Sequence, residues 1–515
     1  MIVVGQVKKG AYFDSVTLMQ CGKQIAAMPG VVDAALVMGT EANRAILKAS
    51  GLLLSAFDQA GDAELLISIK AETDEAAQSA LASVDGILKR GGSRSVAGGK
   101  VSPATLEGAL KLLPGANLAL VSIAGRYAGD QAMLALENGL HVMLFSDNVP
   151  LEKEIELKKF ASRNDLFVMG PDCGTAIING VPLGFANVVQ RGDIGIVAAA
   201  GTGLQEVSSI ISNEGAGLSQ AIGTGGRDVQ KEVGGIMFLA GLRALAADEQ
   251  TKVILLVSKP PHAEVLARIT AAAKEIRKPV IPMFVGAASP GEPATLEQAA
   301  LMAVAASRGQ DTALAAKQLA ARNGQIRARA RAEAAKRKPG QKYVRGLFSG
   351  GTFCAEAQTL FSGKLSNIYS NVPAGTAAKL ENSLKSRGNT LIDMGADEFT
   401  QGRLHPMIDY SLSKRRIVQE AADPETAVIL LDVILGRGAN PDPASELCEA
   451  ISQASKSVCV VCSVTGTDQD PQNRAEVKSR LEAAGATVMP SNAAASQLAG
   501  YTIAHLEGTS RAQTV

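Results

Sequence analysis

The sequence predicts a multidomain α/β protein whose last two domains are copies of one another. Two observations carry this. Strand-like and helix-like stretches alternate along most of the chain, the pattern of parallel sheets joined by crossover helices. One phrase also occurs twice, 150 positions apart. Ile194-Gly195-Ile196-Val197 runs into Ala200-Gly201-Thr202-Gly203-Leu204-Gln205-Glu206. Val344-Arg345-Gly346-Leu347-Phe348 runs into Gly350-Gly351-Thr352-Phe353-Cys354-Ala355-Glu356. Each reads as strand, Gly-Thr turn and helix, with a Glu four residues after the Thr. Such a turn aims unpaired backbone N–H groups and the positive end of a helix at one spot, which suits a phosphate or a carboxylate.

The chain has 515 residues, too many for one core; roughly three or four domains of about 150 residues are expected. A hydrophobic fraction of 46% is that of ordinary globular domains. Trp is absent and aromatics make up only 3%, which fits Ala-lined helices and disfavours a protein that stacks bases on aromatic rings. A net charge of +1 gives no global field toward nucleic acid or an anionic membrane. The first residues are too few and too polar for a signal peptide, and no apolar run approaches a membrane span. Six Cys make no disulfide framework, so a cytoplasmic protein is expected. Cys459 and Cys462 form a CxxC inside a strand-like run with no second Cys/His pair beside it. They read as strand cysteines, and no metal site is expected.

Residues 1–100 read as an N-terminal α/β sandwich, ferredoxin-like (βαββαβ), with strands at Val31–Met38 and Ala63–Ile69. It closes on a Gly/Ser-rich linker from Arg90 to Lys100. Residues 101–190 read as a Rossmann-like domain, with strands at Asn117–Ile123, His141–Phe145 and Leu166–Met169. Residues 191–311 hold the first copy of the phrase, with strands Gly192–Val197, Leu218–Ile222, Lys252–Val257 and Pro279–Val285. Residues 312–342 are Ala-rich and basic; they read as a solvated helical linker, with an anion-binding arm as the alternative. Residues 343–515 hold the second copy, with strands Tyr343–Phe348, Thr390–Asp393, Ala427–Val433, Ser457–Ser463 and Ala486–Met489. Val253-Ile254-Leu255-Leu256-Val257 parallels Val428-Ile429-Leu430-Leu431-Asp432. Both copies therefore read as flavodoxin-like, and their Gly-rich turns lie at the carboxyl ends of the strands, where such sheets bind ligands.

Gly170-Pro171-Asp172-Cys173-Gly174, the first Gly-Thr phrase and Gly223-Thr224-Gly225-Gly226-Arg227 follow one another in order. This order resembles the α subunit of succinyl-CoA synthetase, with its GPNCPG, GIVSRSGT and GIGG segments. The second copy resembles the last domain of that enzyme's β subunit. Phe348-Ser349-Gly350-Gly351-Thr352 stands at its NGAG turn, Ile392-Asp393-Met394-Gly395 at DVGG, and Val433-Ile434-Leu435-Gly436-Arg437-Gly438 at NIFGGI. With Tyr12–Met19, Leu144–Val149 and His405-Pro406-Met407-Ile408-Asp409, nearly the whole chain resembles the FdrA family. That resemblance implies an acyl-CoA synthetase-like protein. One branch supplies a subunit of oxamate carbamoyltransferase, which splits oxalurate with phosphate into oxamate and carbamoyl phosphate. Three departures qualify it. Lys278-Pro279-Val280 leads to Val285-Gly286-Ala287-Ala288-Ser289-Pro290-Gly291-Glu292, where the synthetase's phosphohistidine has no counterpart. Only residues 306–342 stand where the β subunit would need room for its nucleotide-grasping domain. The usual CoA-binding loop is also replaced, by Lys111–Asn117 and Ala124-Gly125-Arg126.

The candidate anion-binding residues are Gly201, Thr202 and Gly203 with Gly350, Gly351 and Thr352; the competing role for Thr202 is a helix cap completed by Gln205. Gly225 and Gly226 end a strand at the same edge. Gly436, Gly438 and Asn440 form a similar turn. Arg227 and Arg437 are candidate clamps for a substrate carboxylate or phosphate, with a neighbouring carboxylate or open solvent as their alternative partners. Arg403, His405 and Asp409 cluster in one loop, where His405 is a candidate general acid or hydrogen-bond donor or else caps backbone groups. His141 and His505 read as structural; His262, a conceivable substitute for the missing loop histidine, occupies a different turn, and Cys173 reads as a small residue packing a tight turn, with a nucleophile as the alternative.

The expected function is a subunit of a carbamoyltransferase that takes phosphate or carbamoyl phosphate as substrate and binds no cofactor covalently. CoA and ADP stay open as ligands. Two other readings stand beside it: an ADP-forming acyl-CoA synthetase, and a non-catalytic assembly or regulatory subunit. The resemblance implies partner subunits and self-association, with neither nucleic acid nor membrane as partner.

Overall fold

The computed structural model describes residues 1–9, 13, 15–62, 64–92, 103, 105–287, 291–400 and 403–508. The chain divides into two compact units, Met1–Ala116 with Asp397–Leu404, and Asn117–Ala396 with His405–Val515.

The smaller unit runs β1 (Ile2–Lys8), α1 (Ser15–Ala26), β2 (Val31–Met38), α2 (Glu41–Ala49), β3 (Leu65–Ala71), α3 (Asp74–Gly92) and α4 (Leu106–Leu112). Its antiparallel sheet has the order β1-β3-β2. The central strand β3 is apolar on both faces because both are covered. Leu65, Ile67 and Ile69 pack with Leu18, Ile25 and Val84 from α1 and α3. Leu66 packs on the other side with Leu47, Leu52 and Phe57. The ferredoxin-like βαββαβ order expected from the sequence is not found: the sheet has three strands, and α2 lies between β2 and β3 along the chain. The expected linker begins later than composition suggested. Arg90–Gly92 finish α3, and residues 93–100 lie outside the described residues.

The larger unit opens with a parallel sheet, β4 (Leu118–Val121), β5 (His141–Leu144) and β6 (Val168–Met169), connected through α5 (Gly125–Glu137) and α6 (Leu151–Arg163). A hairpin follows, β7 (Thr175–Ile178) and β8 (Val181–Gly184). It turns at Asn179-Gly180, whose φ values of 52° and 80° suit the two-residue turns that match strand twist. The sequence signal was present, since Asn-Gly between two apolar pairs marks a hairpin. The hairpin extends the first repeated sheet, formed by β9 (Arg191–Ala198), α7 (Gly201–Asn213), β10 (Leu218–Gly223), α8 (Ile236–Ala247), β11 (Val253–Ser258), α9 (Ala263–Lys274), β12 (Val280–Phe284) and α10 (Leu296–Ser307). Its order is β12-β11-β9-β10-β7-β8.

After α11 (Ala313–Ala335) the second sheet is built from β13 (Tyr343–Phe348), α12 (Gly351–Phe361), β14 (Ile368–Ser370), β15 (Ala378–Lys379), β16 (Asn389–Asp393), α14 (Ser411–Ala422), β17 (Thr426–Ile434), α15 (Pro443–Ala454), β18 (Cys459–Thr465), α16 (Arg474–Ala483), β19 (Thr487–Met489) and α17 (Asn492–Leu506); the short helix α13 (Asp397–Thr400) between β16 and α14 belongs to the smaller unit. The order β15-β14-β16-β13-β17-β18-β19 contains the flavodoxin sequence of strands, with β13 first and β16 second. The first sheet follows the same path through β9, β10, β11 and β12. In each copy the repeated phrase therefore leaves the first strand at the point where the winding direction reverses.

One apolar core serves both copies. It joins Ile196 and Leu255 of the first sheet, Leu204 of α7, Phe353 of α12, Leu430 of β17 and Leu498 of α17. Each such buried side chain contributes about 1.5–3 kcal/mol. The basic linker is helical, as expected, but only one face of it is solvated. Ile326 and Ala330 are buried, Arg327 lies over the Tyr501 ring at 5.3 Å, and Arg322 pairs with Glu297.

Candidate functional site

The two Gly-Thr turns meet. Helix α7 starts after Ala200 and α12 after Gly350, both extended and neither supplying a side-chain cap. The first intrahelical bonds come from Leu204 N to Ala200 O (2.9 Å) and Cys354 N to Gly350 O (3.0 Å). The N–H groups of Gly201–Gly203 and Gly351–Phe353 precede these bonds, so the helices leave all six without an intrahelical acceptor. By contrast, Thr295 caps α10 and Ser491 caps α17. Thr202 is not a cap: it lies inside α7, and Gln205 does not complete a capping box.

Small residues bring the helix starts together. A Cβ on Gly350 would stand 3.0 Å from Cβ and Cγ2 of Thr202, and one on Gly203 would stand 3.1 Å from Cγ2 of Thr352. Each threonine methyl therefore rests on the other copy's glycine. The Glu of each phrase ties the copies together one helical turn further in. Asn492 N donates to Glu206 Oε1 (2.9 Å) and Asn492 Nδ2 to Glu356 Oε2 (2.7 Å). Both carboxyls are fully buried, and desolvation raises their pKa values, that of Glu356 to about 7.

Around the α12 start stand side chains from three strand ends. A Cβ on Gly351 would lie 2.5 Å from Asp393 Oδ2 and 3.4 Å from Lys259 Nζ. A Cβ on Gly395 would lie 2.8 Å from His405 Nε2, 2.8 Å from the Ser349 carbonyl oxygen and 3.3 Å from Asp393 Oδ1. His405 Nδ1 accepts from Met407 N (3.2 Å), so the proton of the neutral ring sits on Nε2. Burial pushes the His405 pKa down to about 4. At neutral pH the ring is thus a neutral hydrogen-bond donor toward Gly395, better suited to donate a hydrogen bond than to act as an acid. Asp432 lies beneath the turn and accepts from Ser349 N (2.6 Å) and Gly350 N (2.8 Å). Burial pushes its pKa up to about 7. The first copy reaches the same region through Thr175 Oγ1, 3.6 Å from a Cβ on Gly201, and through Phe185, whose ring is 6.4 Å from that of His405.

The remaining candidates are placed otherwise. Gly225, at φ 81°, has its α-carbon against Pro171 O, and Gly226 lies near Ala199 O. Arg227 is not aimed at the turns: its Nε pairs with Glu154 (2.8 Å) and its Nη2 donates to Val149 O (2.8 Å). Glu154 is buried beside Lys158 and Asp228, so the guanidinium completes a charge cluster. Gly436 and Gly438 pack on Ala186 and Phe185. Asn440 Nδ2 holds Ile408 O and Glu446, which fixes the loop carrying His405. Arg437 is exposed, with its backbone N–H on Ala186 O. Arg403 is exposed and belongs to the smaller unit, whereas His405 belongs to the larger one. Asp409 accepts from Ser411 at the start of α14. His262 Nδ1 accepts from Glu264 N and His141 Nδ1 from Phe167 N. Burial pushes the Cys173 thiol up to about 12, which suits a packed residue and not a nucleophile. Lys259 and Asp432 were missed. For Lys259 the available signal was its place at a strand's carboxyl end in an open α/β sheet.

No metal-binding group of His, Cys, Asp and Glu occurs among the described residues, and no helix among them is long and apolar enough to cross a membrane. The CoA-ligase family model matches residues 347–511, and the model described as AllF, heavy metal-associated domain matches residues 1–103. The Escherichia coli (strain K12) protein YahF is 38% identical over 504 residues, covering 94% of this chain and 96% of its own length. The succinate–CoA ligase [ADP-forming] subunit alpha of Aquifex aeolicus is 27% identical over 182 residues, 34% of this chain; the match spans 58% of that relative's length. A dinucleotide-forming acetyl-coenzyme A synthetase from Ca. Korarchaeum cryptofilum, solved with phosphate and ADP, matches 77% of this chain and 84% of its own at 15% identity and a TM-score of 0.29, and adds nothing to the argument. These matches favour the ligase alternative over the carbamoyltransferase expectation. Two joined flavodoxin-like sheets, a CoA-ligase match over the second and full-length similarity to YahF together place the chain in the YahF family, whose fold is that of the succinyl-CoA synthetase-like ligases.

Proposed function

We propose that this chain is an acyl-CoA synthetase-like enzyme that binds phosphate, or the phosphoryl end of an acyl phosphate, where α7 and α12 begin. One observation carries the reading: two helix starts, each with three N–H groups that lack an intrahelical acceptor, pack on one another through Thr202 and Thr352, with Lys259 beside Gly351 and the neutral His405 beside Gly395. When an acyl phosphate forms or breaks, charge gathers on the phosphoryl oxygens and on the carbonyl oxygen. Donors already fixed in place stabilise that charge without reorganising. The glycines let the anion approach the backbone closely. Thr202 and Thr352 keep the two helix starts at a set separation.

The loop after β12, described through residue 287 and again from 291, carries no His in its sequence. The phosphoryl group would therefore be held by hydrogen bonds and charge, without a phosphohistidine. CoA and ADP are the co-substrates that kinship with the ligases suggests. The narrower reading, membership of the FdrA family and a subunit role in a carbamoyltransferase acting on oxalurate or a related carbamoylated acid, is supported by the sequence resemblance alone.

The test uses the full chain, alone and co-expressed with its neighbouring gene products. Inorganic phosphate and acetyl phosphate are titrated calorimetrically. Turnover is then assayed in two ways: thioester formation from ATP, CoA and short carboxylic acids, and phosphate-dependent cleavage of carbamoylated acids. Phosphate binding with thioester formation is expected. Cleavage without CoA consumption would shift the assignment to the carbamoyltransferase. A protein that binds neither anion would overturn the reading.

A further inference from the structure

We propose that Lys259 is the charge that makes the α12 start a site for a dianionic phosphoryl group in preference to a carboxylate. The inference rests on the phosphate reading above and gives it a specificity-determining residue.

Lys259 is the first residue beyond β11, a strand of the first copy, yet its Nζ stands 3.4 Å from where Gly351 of the second copy would carry a Cβ. Its backbone is stiff. Pro260 and Pro261 follow, and a residue before proline is confined to extended conformations. Ser258 Oγ donates to the Lys259 carbonyl oxygen at 2.5 Å. The ammonium makes no hydrogen bond or ion pair among the described residues. Three other partly or fully buried cations in this unit are engaged: Lys158 by Glu154 and Asp228, Lys278 by the carbonyls of Leu245 and Asp248, and Arg345 by Asp423.

A carboxylate beside the same glycine explains why a cation is needed. Asp393 Oδ2 is 2.5 Å from the same point on Gly351. A helix start offers about half a positive charge, and one carboxylate beside it more than cancels that. Asp393 Oδ1 accepts from Gly395 N at 3.0 Å, and its carboxylate opposes an anion at the α12 start. Lys259 reverses the balance, and the α7 start adds a second positive end. His405 Nε2–H, on the far side of Asp393, supplies a neutral donor.

The duplication shows that the charge is one-sided. Aligning Val253–Val257 with Val428–Asp432 puts Ile434 opposite Lys259, and Ile434 is fully buried in β17. One copy therefore supplies the cation and the other the helix start beneath it. This arrangement serves a single shared phosphoryl group. Two equivalent anion sites would need a cation from each copy.

The experiment compares full-length wild type with Lys259→Met, Lys259→Gln and Lys259→Arg by calorimetric titration with inorganic phosphate, acetyl phosphate and acetate at fixed ionic strength. Thermal melts first confirm that each variant is folded. Losing a charge-assisted hydrogen bond weakens binding roughly ten- to hundredfold. The Met and Gln variants should lose that much phosphate affinity while acetate affinity changes little, and Arg should restore most of it. If wild type binds phosphate and the Met and Gln variants bind it equally well, the role of Lys259 is refuted and the phosphate site stands. If wild type binds neither phosphate nor acetyl phosphate, both fall together.

Discussion

The two Gly-Thr turns share a backbone but not a chemistry. In the first copy the residue before the turn, Ala199, donates its N–H to the main-chain oxygen of Val257 (2.9 Å). In the second, Ser349 and Gly350 donate to both oxygens of Asp432, the residue that aligns with Val257. The first turn is thus held by an ordinary strand contact, and the second by a buried carboxylate. The first copy sends Lys259 across to its partner; the second contributes Asp393, Asp432 and His405. Duplication gave two helix starts, and divergence of the neighbouring strand ends made them unequal.

The largest test of that inequality is Asp432→Ala against Val257→Ala. Removing Asp432 leaves two buried N–H groups without an acceptor and should cost about 2–4 kcal/mol, measured by urea unfolding, and should weaken phosphate binding at least tenfold. Val257→Ala should cost stability through lost packing, about 1–2 kcal/mol, yet keep phosphate affinity, because the main-chain oxygen remains. Equal loss of affinity in both variants would mean that the turns are equivalent.

Next come the paired glycines. Gly350→Val and Gly203→Val each press a branched side chain on the opposing threonine and should cost about 1–3 kcal/mol. Both should impair phosphate binding, since the spacing of the helix starts is shared. A loss confined to Gly350→Val would locate the site on α12 alone.

A third test uses pH. Glu356 has a folded pKa of about 7 against an ordinary 4.5, so its contribution is fully present below pH 4.5 and is lost as pH rises through about 7. Stability should therefore decline across that window. Glu356→Gln should flatten this part of the curve, read by chemical unfolding at a series of pH values. An unchanged profile would remove Glu356 from the lock between the copies. The smallest effect is expected from Arg227→Met. Its guanidinium serves Glu154 and Val149, so stability should fall modestly and phosphate affinity should not move.

The sequence showed a good deal of this. Val31–Met38 and Tyr343–Phe348 are strands at the expected residues, and the other expected strands differ by one or two positions at an end. The hairpin at Asn179-Gly180 was legible but passed over. The three-stranded form of the N-terminal sheet was not, because its apolar segments are compatible with either strand number. At the site, glycines and threonines were found through their repetition. Lys259 and Asp432 were not found, because nothing local marks them: one looks like a lysine before two prolines and the other like the end of an apolar strand.

By itself the sequence determined the duplicated α/β plan, the Gly-Thr helix starts and the kinship with ligases. These follow from patterns within about ten residues: periodicity, glycine placement and the N–H groups that a helix start must leave unpaired. Only the tertiary structure decided that the two starts meet, that Thr202 and Thr352 brace each other's glycines, that Arg227 is engaged elsewhere, and that Lys259 of one copy faces Gly351 of the other. Those relations join residues about 70 to 150 positions apart. Close packing of two sheets on one core brings them together, and no local pattern encodes which strand end will face which.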